Sequence, residues 1–385
     1  MKNCLNLEQG LKILNNSLNL ESVNFSILAP HEKILDSTKQ AYIFGCKLLG
    51  KKVFNGCAAA GIEILGFIDN NSLMQGKQYC GKTVYALDEI NPSTSVSIII
   101  ASTTHEQEIR QQLILNEFSR VVGYPILSVF NEVDFPPEMV YREMQVDLVK
   151  NAKHYLQLNH NLVDQESIRT LDGIIKYRLS LDPKYLEEIR QKEEQRREYF
   201  DASIVKLRGE DVFVDGGGYD GDTALEFSSF VAGQYKKIYF FEPDRELLLK
   251  AKNKLTGLHD IIFLEAAIYF RSKTLKFKMT GGLDGLIDSE GDREVEALAL
   301  DECVREKITF LKLDVEGSES EALMGGRQHL ESDAPILAIS GYHNPSDIWQ
   351  LPELIKSLNP KYQIYLRHYS NTTYETIIYA IPREK

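Results

Sequence analysis

Apolar positions fall into two blocks along the chain, each pairing short apolar runs with helical spacings. In the first block, Gln40-Ala-Tyr-Ile-Phe44 predicts a strand that runs into Gly45, and Ile62–Ile68 predicts a second ending at Asp69-Asn-Asn71. Ser97–Ala101 predicts a third, buried strand, and Glu106–Phe118 carries Ile109, Leu113 and Leu115 at near-helical spacing. Strands alternating with helices make a parallel sheet, so residues 41–130 predict a small doubly wound α/β domain. Residues 1–40 carry no dependable period and read as irregular or weakly helical.

From Pro137 to about Phe200 the strand signal disappears. Long charged stretches such as Glu187–Arg197 predict a helical connector with solvated faces, and Pro183 suits the first turn of one of its helices. The second block starts near Glu210, with strands expected at Asp211–Asp215, Lys237–Glu242, Ile261–Ala267, Ile308–Asp314 and Pro335–Ser340. Helices are expected at Arg245–Leu255 and Ser318–Leu330, and Thr274–Met279 with Glu294–Leu300 reads as a hairpin inserted at the third crossover. The chain closes with Tyr362–His368, a short turn, and Tyr374–Ile381. Parallel strands need a crossover of a dozen or more residues, so these two must be antiparallel. An ordinary dinucleotide-binding sheet has no such ending; the class I methyltransferase sheet does. The expected domains are 1–135 (Rossmann-like α/β), 136–205 (helical connector) and 206–385 (seven-stranded mixed sheet with a terminal antiparallel hairpin).

Composition narrows the class without naming an activity. At about 150 residues per domain, 385 residues suggest two or three domains, with 43% hydrophobic and 26% charged residues as in soluble globular proteins. A net charge of −12 lacks the basic footprint of a nucleic-acid coat. The five cysteines are scattered without a C-x-x-C pair, which fits a reducing cytosol and gives no zinc or disulfide framework. No apolar run approaches the ~20 residues that span a bilayer. The expectation is therefore a cytoplasmic protein with no membrane span and no nucleic-acid partner; a homodimer is left open.

The strongest chemical signal is Val212-Phe-Val-Asp-Gly-Gly-Gly-Tyr-Asp-Gly-Asp-Thr223. A strand delivers Asp215, then Gly216, Gly217 and Gly218, with Gly221 before the next helix; glycines let backbone approach a ligand closely. Glu242 lies 27 positions beyond Asp215, near the offset at which an acid meets a ribose diol. Two acids around a glycine loop suit a nucleoside carrying a cation better than a pyrophosphate. The plain alternatives are a simple strand-to-helix turn and a Glu242 that caps a helix beside Pro243. In Phe310-Leu-Lys-Leu-Asp-Val-Glu-Gly-Ser-Glu319, Asp314 and Glu316 fall at the carboxyl end of a strand, where open α/β sheets bind ligands. Glu316 and Glu319 are otherwise explained as acids at a helix start. Tyr342 and His343 follow the fifth strand at the same rim, His343 as a candidate general base or a satisfied loop residue. Arg367-His368-Tyr369 either reaches this rim or caps the hairpin. Whether a metal assists is left open.

These pieces together resemble the FkbM family of S-adenosylmethionine-dependent methyltransferases: residues 212–223, 240–244, 311–319 and 338–352, over about 195–385. The resemblance implies a class I methyltransferase domain acting on a hydroxyl oxygen of a sugar, glycan or related secondary metabolite, with S-adenosylmethionine as cofactor. It places Asp215, Gly217 and Gly221 in the cofactor loop, Glu242 on the ribose, Ala266 or Ala267 near the adenine and Asp314 by the methionine part. The chain departs from many members in its Gly-Gly-Gly run and in having Ser340 where many carry an acid.

The N-terminal Ile43-Phe44-Gly45-Cys-Lys-Leu-Leu-Gly50, with Asp69 after the second strand, looks like the Rossmann start of sugar-modifying enzymes. Lys47 stands where the middle glycine would let a pyrophosphate approach. A degenerate docking or dimerisation domain and a site for a nucleotide sugar are both open. The rival functions are an NAD-dependent sugar oxidoreductase or epimerase using this domain, and a non-catalytic scaffold.

Overall fold

The computed structural model describes residues 34, 37–92, 95–137, 139, 141–192, 197–279, 285–287 and 293–383. Most of the stretch expected to be irregular or weakly helical, 1–40, lies outside them. The chain divides into two compact units, Met1–Ala152 with Asp172–Ile189 and Lys153–Leu171 with Arg190–Lys385.

The first unit contains a six-stranded sheet of β1 (Gln40–Phe44), β2 (Glu63–Ile68), β3 (Gln78–Tyr79), β4 (Lys82–Tyr85), β5 (Ser97–Ile100) and β6 (Val121–Gly123), ordered β3-β4-β2-β1-β5-β6. All its pairs are parallel except β3 with β4. Every residue of β5 is buried, as a parallel strand covered on both faces requires. Helices α1 (Leu48–Ala59) and α2 (Glu106–Leu115) follow β1 and β5. The second ends short of the expected Phe118 because Glu117 takes a left-handed φ of 63°.

Five helices come next: α3 (Tyr124–Phe130), α4 (Tyr141–Lys150), α5 (Ala152–Asn161), α6 (Gln165–Ser180) and α7 (Lys184–Ile189). Pro183 stands just ahead of α7, and residues 136–205 contribute to both units.

The second unit is built on a seven-stranded sheet: β7 (Val212–Gly216), β8 (Lys237–Phe241), β9 (Ile261–Leu264), β14 (Phe310–Leu313), β15 (Ile336–Ser340), β16 (Tyr362–His368) and β17 (Thr376–Pro382). Their order is β16-β17-β15-β14-β7-β8-β9, and only β17 runs antiparallel to its neighbours. The expected strand Ile261–Ala267 divides, because after Leu264 the chain leaves this sheet. β10 (Ala267–Ile268) pairs instead with β13 (Arg293–Leu298), which with β11 (Lys273–Met279) and β12 (Gly285–Ile287) forms a separate four-stranded sheet. That is the expected insertion; residues 280–284 and 288–292 between its strands lie outside the described ones.

Helices α8 (Asp222–Phe230), α9 (Arg245–Lys254), α10 (Leu300–Cys303), α11 (Glu319–Gly325), α12 (Arg327–Ser332) and α13 (Asp347–Leu358) complete this unit. The single helix expected over 318–330 is two, α11 and α12. Gly325 packs so tightly on the Tyr269 carbonyl that a Cβ would collide with it, and the chain re-enters a helix after Gly326. Behind the strand ends, Phe213 stacks on Phe227 at 4.4 Å and on Phe310 at 5.2 Å. Each such buried aromatic contributes roughly 1.5–3 kcal/mol, and the stack anchors β7, β14 and α8 together. Among the described residues no helix is long and apolar enough to cross a membrane.

Candidate active site

The site is assembled where β7 and β14 run side by side. Their register places Lys312 opposite Asp215 on the same face. Lys312 is 2% exposed, and its Nζ lies 3.2 Å from Asp215 Oδ1. It donates hydrogen bonds to Gly217 O at 2.6 Å and Gly216 O at 3.2 Å, and the Tyr199 ring centroid is 5.3 Å away. Asp215 is 0% exposed; the Lys312 ammonium faces its Oδ1, and its Oδ2 accepts no hydrogen bond from the described residues. Burial pushes the Asp215 carboxyl up, with the Lys312 ammonium opposing it. Burial would lower Lys312, but the charges of Asp215 and Asp314 outweigh it and hold the amine above its usual value. The acid expected to meet a cationic ligand therefore already has a cation beside it, supplied by the protein. A lysine inside the otherwise apolar Phe310–Leu313 run was the signal for this pair, since a buried ammonium demands partners.

The glycine loop is clamped from the other side by β8. Gly217 N and Gly218 N both donate to Phe241 O, at 3.1 and 2.9 Å. Gly217 has φ +73°, and a Cβ there would collide with Asp314 O. A Cβ on Gly218 would strike the Phe240 ring, and one on Gly216 would come within 2.7 Å of Leu313. Gly221, at φ +90°, caps α8 against Leu255. These glycines are thus demanded by the loop's own packing. Gly217→Ala is expected to cost about 2 kcal/mol or more and to lower the urea midpoint; an unchanged midpoint would show that the loop has room to move.

Glu242 sits at the end of β8, beside this loop. Its Oε2 accepts from Tyr219 N at 2.9 Å and its Oε1 from Asp244 N at 2.7 Å. Burial raises its carboxyl to about 7 despite those two donors. The helix-capping alternative for Glu242 fails, because Asp244 is the N-cap of α9 and accepts from Glu246 N and Leu247 N. Ala266 is buried and Ala267 opens β10.

At the rim beyond β14, Asp314 accepts from Tyr199 OH (3.0 Å) on one oxygen and from Tyr342 OH (3.1 Å) on the other. Burial favours its neutral form, but Lys312, His343 and the Tyr199 and Ser340 hydroxyls outweigh that and hold its pKa below the usual carboxylate value. The strand stops at Leu313 and Glu316 turns at φ +53°, so the expected strand alternation is not what joins the two acids. His343 joins them: its Nε2 is 3.4 Å from both Asp314 Oδ1 and Glu316 Oε2, while its Nδ1 is 2.9 Å from Glu319 Oε1. Burial works against the charged ring, but Glu319, Asp314 and Glu316 raise it to about 9. The three carboxylates around it favour the imidazolium, the form without a lone pair for the base role expected of His343. Glu319 is fixed from behind by Val315 N at 3.0 Å. Asp314, Glu319 and His343 bring ligand-type atoms within 4.8 Å of one another, but Glu319 and a protonated ring are committed to each other.

Two more residues enter this rim from upstream. Tyr199 also lies 3.2 Å from Ser340 Oγ, and Glu198 is half-buried among Glu375, Asp314 and Lys312; burial and the two acids raise its carboxyl to about 8. Neither was legible in the sequence. Arg367 does not belong here: its guanidinium is buried and paired with Asp164 at 2.7 Å, Glu166 at 3.2 Å and Asp201 at 3.6 Å. His368 is buried against Thr376, and Tyr369 bonds Tyr379.

In the first unit, Asp69 closes the turn after β1. Its Oδ2 accepts from Cys46 N at 2.9 Å and its Oδ1 from Asn71 N at 2.8 Å. Gly45 has φ +116°, Gly50 abuts the Gly45 carbonyl, and Lys47 is the N-cap of α1.

Family comparison matches residues 215–369 to the methyltransferase FkbM domain and residues 37–120 to the C2185-like N-terminal domain. No curated protein matches the chain. Among solved structures, the methyltransferase FkbM from Methylobacillus flagellatus KT aligns with a TM-score of 0.77 at 20% identity, over 96% of this chain and 100% of that one. A SAM-dependent methyltransferase from Aquifex aeolicus aligns with a TM-score of 0.31 at 16% identity, over 52% of this chain and 97% of that one. The first likeness extends the fold assignment to nearly the whole chain, a class I methyltransferase sheet preceded by a Rossmann-like one. With the loop, the strand order and the terminal hairpin in place, residues 215–369 are a methyltransferase domain of the FkbM family.

Proposed function

We propose that the second unit moves the methyl group of S-adenosylmethionine to a hydroxyl oxygen of a sugar, a glycan or a related secondary metabolite. The observation that carries this reading is the glycine loop between Asp215 and Glu242 at the carboxyl ends of adjacent strands. The residues fit such a cofactor. Asp215 keeps acceptor capacity on Oδ2 beneath the loop, and each Glu242 oxygen accepts one hydrogen bond of the two it can take. In this reading Glu242 accepts the ribose hydroxyls, Ala266 and Ala267 border the adenine, and Asp314 faces the methionine part. When bound, the cofactor supplies a methyl group on a positively charged sulfur.

The acceptor's proton needs a base. Asp314 is held too acidic and His343 is already protonated, so both serve to fix the rim, with Glu316 tied to the same ring. Glu198, raised to about 8, is the carboxyl whose titration suits proton removal near neutrality. The test is release of S-adenosylhomocysteine when the full chain is given S-adenosylmethionine with hydroxylated sugars and glycan fractions. The rate is expected to rise with pH to a plateau above about 8. With S-adenosylmethionine saturating at every pH, Glu198→Gln should lower it by roughly 10²–10⁴-fold and remove the rise. Release without any dependence on an acceptor hydroxyl would sink the reading; a Glu198→Gln profile of wild-type shape would remove Glu198 from it.

A further inference from the structure

We propose that Lys312 is a positioning residue for the cofactor: its ammonium, reaching up from β14, pins the Gly216 and Gly217 carbonyls and so presets the loop that receives the nucleoside. The inference deepens the methyltransferase reading and rests on it.

Stability alone does not call for this lysine. Buried ion pairs are often replaceable by apolar residues of similar size at no loss, and the neighbouring positions Phe310, Leu311 and Leu313 are apolar and buried. What a methionine cannot do at this position is donate. Lys312 gives hydrogen bonds to two successive loop carbonyls, at 3.2 and 2.6 Å, while the Gly217 and Gly218 amides are spent on Phe241 O. The loop is thereby held between two strands, β14 through its carbonyls and β8 through its amides. Successive glycines have the most backbone freedom to lose, and a binding loop ordered in advance spares that cost at the moment of binding. Tyr199 covers the ammonium with its ring and bonds Asp314 with its hydroxyl, so one lysine couples the loop, Asp215 and the Asp314 turn. The charged groups facing the pair are Asp314 on the same strand end, Asp222 at the start of α8, and Glu198 and Glu242 at the two flanks.

The rival role is a counter-ion that merely neutralises Asp215. The two separate when Asp215 is neutral in both proteins compared. Full-length Asp215→Asn and Asp215→Asn/Lys312→Met are titrated with S-adenosylhomocysteine by calorimetry, with amide hydrogen exchange of the loop followed by mass spectrometry without ligand. A positioning role predicts at least tenfold weaker binding in the double variant than in Asp215→Asn, and faster exchange at Gly216–Tyr219. The exchange readout decides if both affinities fall below detection. Equal or tighter binding, or equal loop exchange when binding is undetectable, would leave Lys312 as a counter-ion only. Absence of binding by the wild-type chain would instead count against the methyltransferase reading itself.

Discussion

Glu242→Gln is expected to weaken S-adenosylhomocysteine binding about 100-fold, while the melting temperature does not fall. Hydrogen bonds accepted by a carboxylate contribute about 1.5–3 kcal/mol each, and a ribose diol offers two donors. The variant keeps the size of the side chain but replaces one acceptor oxygen with a donor amide. The folded protein pays for this carboxylate: its pKa rises from the usual 4.5 to about 7, chiefly through burial. An acid raised on folding stabilises the native state most below pH 4.5, and that contribution is lost as pH climbs through 7. At pH 7.5 the neutral amide therefore relieves a penalty, offsetting its poorer fit to the Tyr219 and Asp244 amides. The same titration predicts that wild-type affinity strengthens from pH 6 to pH 8, as the carboxylate forms, and that the variant shows no such trend. Calorimetry at three pH values, with a thermal melt alongside, checks all of this. Wild-type affinity in Glu242→Gln would remove the ribose role. A collapsed melting temperature would show that Glu242 holds the loop rather than the ligand.

What could be read from the sequence follows what local chemistry encodes. The strand at Gln40–Phe44 was legible to the residue, because its apolar run ends on a glycine. Asp215 and Glu242 were legible as a pair because their spacing reflects one strand–loop–helix–strand unit, whose ends the sheet brings together. Tyr199 was not: its partner Asp314 lies 115 positions away, and nothing near Tyr199 announces it. The break between α11 and α12 depends on the Tyr269 carbonyl, and the split between β9 and β10 on a second sheet; both are tertiary facts. Lys312 was written in plain sight as a charge in a buried strand. His343 is the opposite case: its usual pKa suggested a base, and the three carboxylates that surround it are a tertiary fact.

Removing His368 is expected to remove about 3 kcal/mol of acid sensitivity between pH 6.5 and pH 4. The ring is 0% exposed, and its Nδ1 meets Thr376 Oγ1 at 2.9 Å. Burial lowers its pKa from the usual 6.5 to about 4, against the backbone bonds at Ser370 and Thr372. The unfolded chain therefore takes up this proton first as pH falls. The stability is complete above 6.5 and drains away toward 4, at about 1.4 kcal/mol per pH unit. Asp164, held below its usual value by Arg367 and Ser167 against the pull of burial, acts in the same sense but lower on the scale. Glu242 and Asp347, both raised to about 7 by burial, act in the opposite sense and gain stability as pH falls from neutrality. The whole chain can consequently look insensitive to mild acid while large terms cancel. The informative quantity is the difference in urea-unfolding free energy between wild type and His368→Gln at pH 7.5, 5.5 and 4.5. It should shift steadily in favour of the variant as pH falls. A difference that stays constant would mean that the folded protein protonates His368 as readily as the unfolded one, and that its burial is relieved by solvent.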